Sequence, residues 1–167
     1  ASHPTAAKRI FVAGFRPSAC YGSEVLGFSN HELRKLRRLA GQALQPKGRG
    51  RSLTAVLAVH GDPVAKATIA PIVRWAREVW QVSCGKRGAG FSLAQLRRCW
   101  ETVLAKGQAL TWSSIRGPVG ACSLSLKRLG WKMDSACSII NDQGCQFKLT
   151  MTSPAGVEKE LLAGQQR

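Results

Sequence analysis

Acidic residues are scarce in this sequence, with 9 Asp and Glu against 25 Lys and Arg among 167 residues. Two-metal phosphoryl chemistry needs carboxylates clustered on one site, and these are scattered along the chain. Glu158 and Glu160, two residues apart on an expected helix, face different directions. Histidine is thin as well: His3, His31 and His60 have no clear carboxylate partner for acid–base work. His60, just before Gly61-Asp62, reads as a helix-end residue. The six cysteines stand singly at 20, 84, 99, 122, 137 and 145, with no CxxC pair and no histidine beside a cysteine pair. That spacing gives no zinc site. Several of them fall on apolar faces, where a reduced thiol packs as a small hydrophobe, so a reducing compartment is expected. No apolar run approaches the roughly 18 residues of a membrane-spanning helix. A G-x-x-x-x-G-K-[ST] phosphate loop, internal repeats and a low-complexity tail are also missing. These gaps lead to the expectation of a non-catalytic chain without cofactor, metal site or membrane span.

What is present is charge of one sign. The formal net charge is +16, on a chain that is 44% hydrophobic and 20% charged. That composition suits a folded globular protein, and the length suits one domain of about 100–200 residues. A compact chain of this size has a radius of gyration of about 15 Å, so its surplus cations repel one another. A polyanion relieves that repulsion, which makes nucleic acid the leading partner. An acidic membrane surface or an acidic protein comes next. The first 23 residues hold Lys8, Arg9 and Arg16 without an acid, as organelle transit peptides do, but Gly14, Pro17 and Gly22 interleave them. An intracellular site is expected, nuclear or cytoplasmic, with an organelle as the alternative.

Patterning predicts a mainly α fold: a small helical domain with one C-terminal β-hairpin. The whole chain, 1–167, is read as one domain. It divides into a basic helical part over 1–45, a helical middle over 52–130, and the hairpin plus last helix over 131–167. Ser29 and Glu32 form a capping-box pattern that opens the clearest helix, which Pro46 stops. Leu33, Leu36, Leu39, Ala40, Ala43 and Leu44 make its apolar stripe. The run Leu53–Val59 reads as a short helix buried nearly all round, with a strand as the alternative. Asp62-Pro63 reads as the N-cap and first residue of the next helix, which Pro71 should kink or restart. Ser92 with Gln95 opens another capped helix that Gly107 closes. Pro118 starts one that ends at Lys127-Arg128-Leu129-Gly130. Beyond Trp131, Cys145, Phe147, Leu149 and Met151 alternate with polar residues after the turn Asn141–Gly144, so 136–151 reads as a hairpin. Ser153-Pro154 begins the last helix.

The candidate site is basic. Arg34, Lys35, Arg37 and Arg38 occupy the polar side of the first long helix, with Glu32 the nearest acid. Lys47, Arg49 and Arg51 follow in a glycine-rich connector, and Lys86-Arg87 stand in a second. Cations so placed can track a phosphate backbone and release its condensed counterions. Of the tryptophans, Trp75, Trp80, Trp100 and Trp131 lie on or beside apolar stripes and read as core. Trp112 is the one left as a candidate for base stacking.

An ordered series of segments carries a further resemblance. It comprises Lys8-Arg9-Ile10-Phe11-Val12-Ala13-Gly14-Phe15, then Tyr21-Gly22-Ser23-Glu24-Val25, then Leu33-Arg34 with Leu36-Arg37-Arg38. It continues through Arg51-Ser52-Leu53-Thr54, His60-Gly61-Asp62-Pro63, Arg74-Trp75-Ala76-Arg77-Glu78-Val79-Trp80, Arg116-Gly117-Pro118-Val119 and Thr152-Ser153-Pro154-Ala155. The series resembles the thumb and post-thumb region of non-LTR (LINE-type) retrotransposon reverse transcriptases, as found in the expanded reading frames of unicellular algae. The resemblance implies a connector that holds a template–primer duplex by its backbone, DNA, RNA or hybrid, without the catalytic aspartates of the palm. The alternative is a structural subunit of a larger assembly, docked through its basic surface on acidic protein or rRNA. An exposed strip of Trp80, Trp100 and Trp131 would favour docking.

Overall fold

A computed structural model of the chain describes residues 6–44, 52–60, 62, 64–85, 90–105, 107 and 110–165. The first helical segments are α1 (Ala6–Ile10), a π-helical turn over Phe11–Phe15, α2 (Arg16–Ala19) and α3 (Ser23–Leu26). The π turn comes just before Pro17, whose ring and missing N–H do not fit a continuous α ladder. Then follow α4 (Asn30–Leu44), α5 (Leu53–His60), α6 (Ala65–Ser83), α7 (Leu93–Leu104) and α8 (Pro118–Arg128). A small antiparallel sheet, β1 (Lys132–Ser135), β2 (Ser138–Ile140) and β3 (Gln146–Lys148), leads into α9 (Pro154–Gly164). The class is mainly α with sheet structure confined to the C-terminal part.

Serine side chains cap the starts of α4, α5, α7 and α9. Ser29 Oγ accepts from the Glu32 amide at 3.2 Å while Glu32 Oε2 accepts from the Ser29 amide at 2.7 Å. The same reciprocal pair joins Ser92 and Gln95 at the start of α7. Ser153 Oγ takes the Gly156 amide at α9, and Ser52 Oγ takes the Ala55 amide at α5. At the other end of α8, Gly130 adopts φ +72°, and the amides of Gly130 and Trp131 bond back to Lys127 O and Leu126 O. That is the glycine stop anticipated there, and it turns the chain straight into β1.

The core is built around α6. Ile69, Ile72, Val73, Trp75, Ala76 and Val79 pack with Leu96 and Trp100 of α7 and with Val119, Cys122 and Leu126 of α8. Ile139, Leu149, Val157 and Leu161 close the cluster from the sheet and α9. Trp131 stacks on Phe147 at 5.7 Å and 6°. Trp75 Nε1 donates to the Ala136 carbonyl at 2.9 Å, tying α6 to the turn between β1 and β2. Pro71 does not restart α6, which runs on as a single 19-residue helix with Pro71 itself buried. An interior proline costs about 3 kcal/mol. Each fully buried large apolar side chain returns roughly 1.5–3 kcal/mol, and α6 buries several.

Two other readings are corrected and one is extended. The hairpin expected over 136–151 is present as β2 and β3, and the sheet gains a third strand because Lys132, Met133 and Ser135 pair with β2 ahead of it. Strand β1 has exposed or half-buried side chains throughout, so it carries no clear apolar alternation to read. Helix α6 begins at Ala65, not at Pro63, a residue outside the described set. Asp62 Oδ1 accepts from the Val64 amide at 3.0 Å, making a turn ahead of the helix, because its other oxygen is taken by Arg37. Among the described side chains of α5, Val56 is buried while Thr54 and Ala55 are exposed, so this helix is not buried all round. It packs on α4, away from the main core cluster. The contact is close: a Cβ added at Gly41 would meet Leu53 Cδ1 at 2.5 Å.

Trp75→Phe should lower unfolding free energy by about 2–4 kcal/mol, since it leaves the buried Ala136 carbonyl unpaired and opens space in the core. Met151→Ala, at a 77% exposed position, should stay within about 0.5 kcal/mol. Urea unfolding of the two variants checks the pair.

Candidate nucleic-acid interface

Helix α4 is about 22 Å long and amphipathic. Leu33, Leu36 and Ala40 are buried, and Ala43 and Leu44 are half-buried. Leu39, assigned to the stripe, is 44% exposed. At 100° per residue it lies about 60° from Leu36 on the side away from Leu33, so it falls at the margin of the buried arc. Arg38 stands about 10° from the pole opposite the buried arc, with Arg34 and Lys35 about 50° to either side. All three are exposed. Among the described residues no carboxylate lies within ion-pairing distance of these three. The Glu32 carboxyl is engaged by the Ser29 hydroxyl and amide, which hold it below its ordinary range.

Arg37 departs from the open polar face. It lies about 100° from Leu36, next to Leu44, and is half-buried. Its Nε donates to Asp62 Oδ2 at 2.6 Å, with one third of its side chain exposed. Near it sits a residue that the sequence reading passed over as a helix end. Arg128 Nε donates to Asn30 Oδ1 at 2.8 Å, and its Nη2 donates to the Phe28 carbonyl. Its guanidinium lies 4.6 Å from the centroid of the Trp112 ring. Burial, and then the charge of Arg37, lower the Arg128 pKa. Trp112 therefore has a partner already, and Gly27 at φ +66° lies close against it, a Cβ there meeting Trp112 Cζ3 at 2.6 Å. The only local hint of Arg128 was a cation in the last turn of a helix, which the helix dipole alone accounts for.

The structure thus brings Arg34, Lys35 and Arg38 onto one exposed face, and turns Arg37 inward toward Asp62. Lys47, Arg49, Arg51, Lys86 and Arg87 lie outside the described residues. Trp100 and Trp131 are 8% and 2% exposed, so they do not form an exposed strip with Trp80, which is half-buried. Comparison with protein-family models, with curated proteins and with solved structures finds no match to this chain. The reading of the site rests on its own chemistry.

Other carboxylates are used structurally. Arg74 bridges Glu78 at 2.5 Å and Glu24 at 4.0 Å, and Lys66 meets Glu158 at 3.2 Å, linking α6 to α9. Among the described residues no group of three or more His, Cys, Asp or Glu could hold a metal ion. No helix among them is long and apolar enough to cross a membrane. The cysteines correct the expectation of core thiols: Cys122 is buried, Cys20 and Cys137 are half-buried, and Cys84, Cys99 and Cys145 are exposed. Burial pushes the Cys122 thiol far up and the Cys20 thiol up. Only the thiolate is nucleophilic. Brief iodoacetamide treatment of the folded protein should therefore alkylate Cys84, Cys99 and Cys145 first and leave Cys122 intact until denaturant is added. Peptide mass spectrometry reads the order.

Proposed function

We propose that the chain is a non-catalytic nucleic-acid-binding module that contacts the phosphate backbone through the exposed face of α4, in the manner of the thumb and connector of a LINE-type reverse transcriptase. The observation that carries this reading is the set Arg34, Lys35 and Arg38, exposed together without a carboxylate partner among the described residues. A solvated helix face normally interleaves acids with its bases, whereas α4 carries only Glu32, whose carboxyl is held chiefly by Ser29 and only weakly senses Lys35. The formal charge of +16 supplies the long-range attraction. Backbone contacts position a duplex without reading its sequence, so little sequence preference is expected.

A second reading, docking on a larger assembly, draws on a different surface. Ile10, Phe15, Tyr21, Val25 and Leu26 are exposed along the N-terminal helices. Such side chains suit a protein partner more than a phosphate backbone.

A salt titration separates the two. With five to eight phosphates contacted, log affinity for a labelled duplex should fall against log salt with a slope of about −4.5 to −7. Arg34→Glu with Arg38→Glu should weaken binding and reduce the slope by about one for each lost contact. The same exposed changes should leave stability within about 0.5 kcal/mol. Leu36→Asp should instead loosen the fold, since it places an unpaired carboxylate in a buried position. A slope near zero, or an Arg34/Arg38 variant that binds as the parent does, moves docking to first place. Incubated with Mg²⁺ or Mn²⁺, primer–template and nucleotides, the chain should extend and cut nothing. Turnover that persists through purification and is lost on changing one acid of this chain overturns the non-catalytic part.

A further inference from the structure

Beside the inward edge of α4 lies an open cavity of about 940 Å³, lined by Arg37, Arg128, Asp62, Thr54, Thr68 and Gln165 among others. Two guanidiniums and one carboxylate leave this cavity with a net positive charge. The carboxylate is committed to Arg37 Nε, and among the described residues the terminal nitrogens of Arg37 have no partner. Arg128 is fixed from three sides, by Asn30, the Phe28 carbonyl and the Trp112 ring. Its Nη1 is nonetheless buried without a hydrogen-bond partner. A native fold rarely leaves a buried donor unpaired unless water, an ion or a ligand meets it. Here the orphan lies behind the cavity wall and adds charge alone, and with a second cation beside it the group that relieves the cavity carries negative charge. The terminal nitrogens of Arg37 can offer N–H donors to a tetrahedral oxyanion, with the fixed charge of Arg128 behind them.

We propose that the Arg37–Arg128 cavity is a phosphate-binding site, which receives a phosphate group from the strand held on the outer face of α4. Arg34 stands only about 60° from Arg37 around the helix. A backbone tracked by Arg34 and Arg38 therefore runs on the side of the helix next to Arg37. Arg37 donates to the phosphate oxygens, and Arg128, held by the Trp112 stack, supplies a fixed positive charge. Asp62 orients Arg37 and at the same time opposes the anion. The source of the phosphate rests on the nucleic-acid reading above; the cavity's affinity for phosphate does not.

The probe for the cavity itself is inorganic pyrophosphate, followed by thermal shift and calorimetry on the whole chain without nucleic acid. The parent should show a saturable, single-site stabilisation. Arg37→Gln should abolish it. Asp62→Asn keeps one acceptor oxygen, for Arg37 or for the Val64 amide, while removing the opposing charge, and should bind pyrophosphate at least about threefold more tightly. This gain separates a ligand site from a purely structural ion pair, for which the same change brings no tighter binding. Absence of stabilisation in the parent, an equal response in Arg37→Gln, or no tightening in Asp62→Asn overturns the proposal. The duplex titration assigns the source. With the Arg34/Arg38 variant as reference, Arg37→Gln should lower the salt slope by about one. If Arg34/Arg38 changes alter that slope and Arg37→Gln does not, the cavity proposal fails while the nucleic-acid reading stands. If pyrophosphate binds as expected and the duplex does not, the cavity takes a free phosphate compound and the nucleic-acid reading is the one that fails.

Discussion

Burial of α6 is the constraint to which the other elements answer. Its buried residues Ile69, Ile72, Val73, Trp75, Ala76 and Val79 spread round much of the helix, so no single neighbour can cover them. α3, α7, α8 and α9 all pack on it. The apolar gain is large enough to carry a proline in its second turn. It also carries one demanding polar contact, the Trp75 indole to the Ala136 carbonyl, 61 residues away in sequence. Because that bond reaches the turn before β2, the small sheet is held in place from the helical core and not by its short strands, which have too few ladder bonds to stand alone.

Helix α4 is attached differently. Its buried residues lie outside the α6 cluster and meet the N-terminal helices and α5. What ties it to the rest is largely polar: Arg128 at the end of α8 reaches Phe28 and Asn30, and Arg37 reaches Asp62. These contacts use two of the chain's cations internally and leave Arg34, Lys35 and Arg38 outside. Scarcity of acid makes this division sharp. Asp62 is committed to Arg37, Glu158 to Lys66, and Glu24 and Glu78 to Arg74, and among the described residues no ion pair joins a carboxylate to Arg34, Lys35 or Arg38.

That arrangement places a stiff, charged face on a secondary layer and keeps the apolar core elsewhere. A backbone-binding surface needs only cations at fixed spacing, and a helix supplies that spacing without help from the core. Its helix can therefore be only lightly buried. The Arg37–Arg128 cavity lies where this layer meets α8 and α9, which is why it combines residues from distant parts of the chain. A pair of like charges is retained there because each has its own anchor, a carboxylate for one and an aromatic ring with two oxygen acceptors for the other.

Local signals settled much of the architecture. Serine caps with Glu32 and Gln95, the Gly130 stop, the proline starts of α8 and α9 and the apolar stripe of α4 are all short-range chemistry. They are legible because each is completed within four or five residues. The exposed placement of Arg34, Lys35 and Arg38 follows from helical period alone. Tertiary structure decided what depends on partners far away: that Arg37 turns inward to Asp62, that Arg128 stacks on Trp112, that Pro71 is absorbed, and that Lys132–Ser135 forms a third strand. The first two depend on groups 25 and 16 residues away in sequence, which only tertiary packing brings together, while Lys132–Ser135 pairs close by but has no apolar alternation to read.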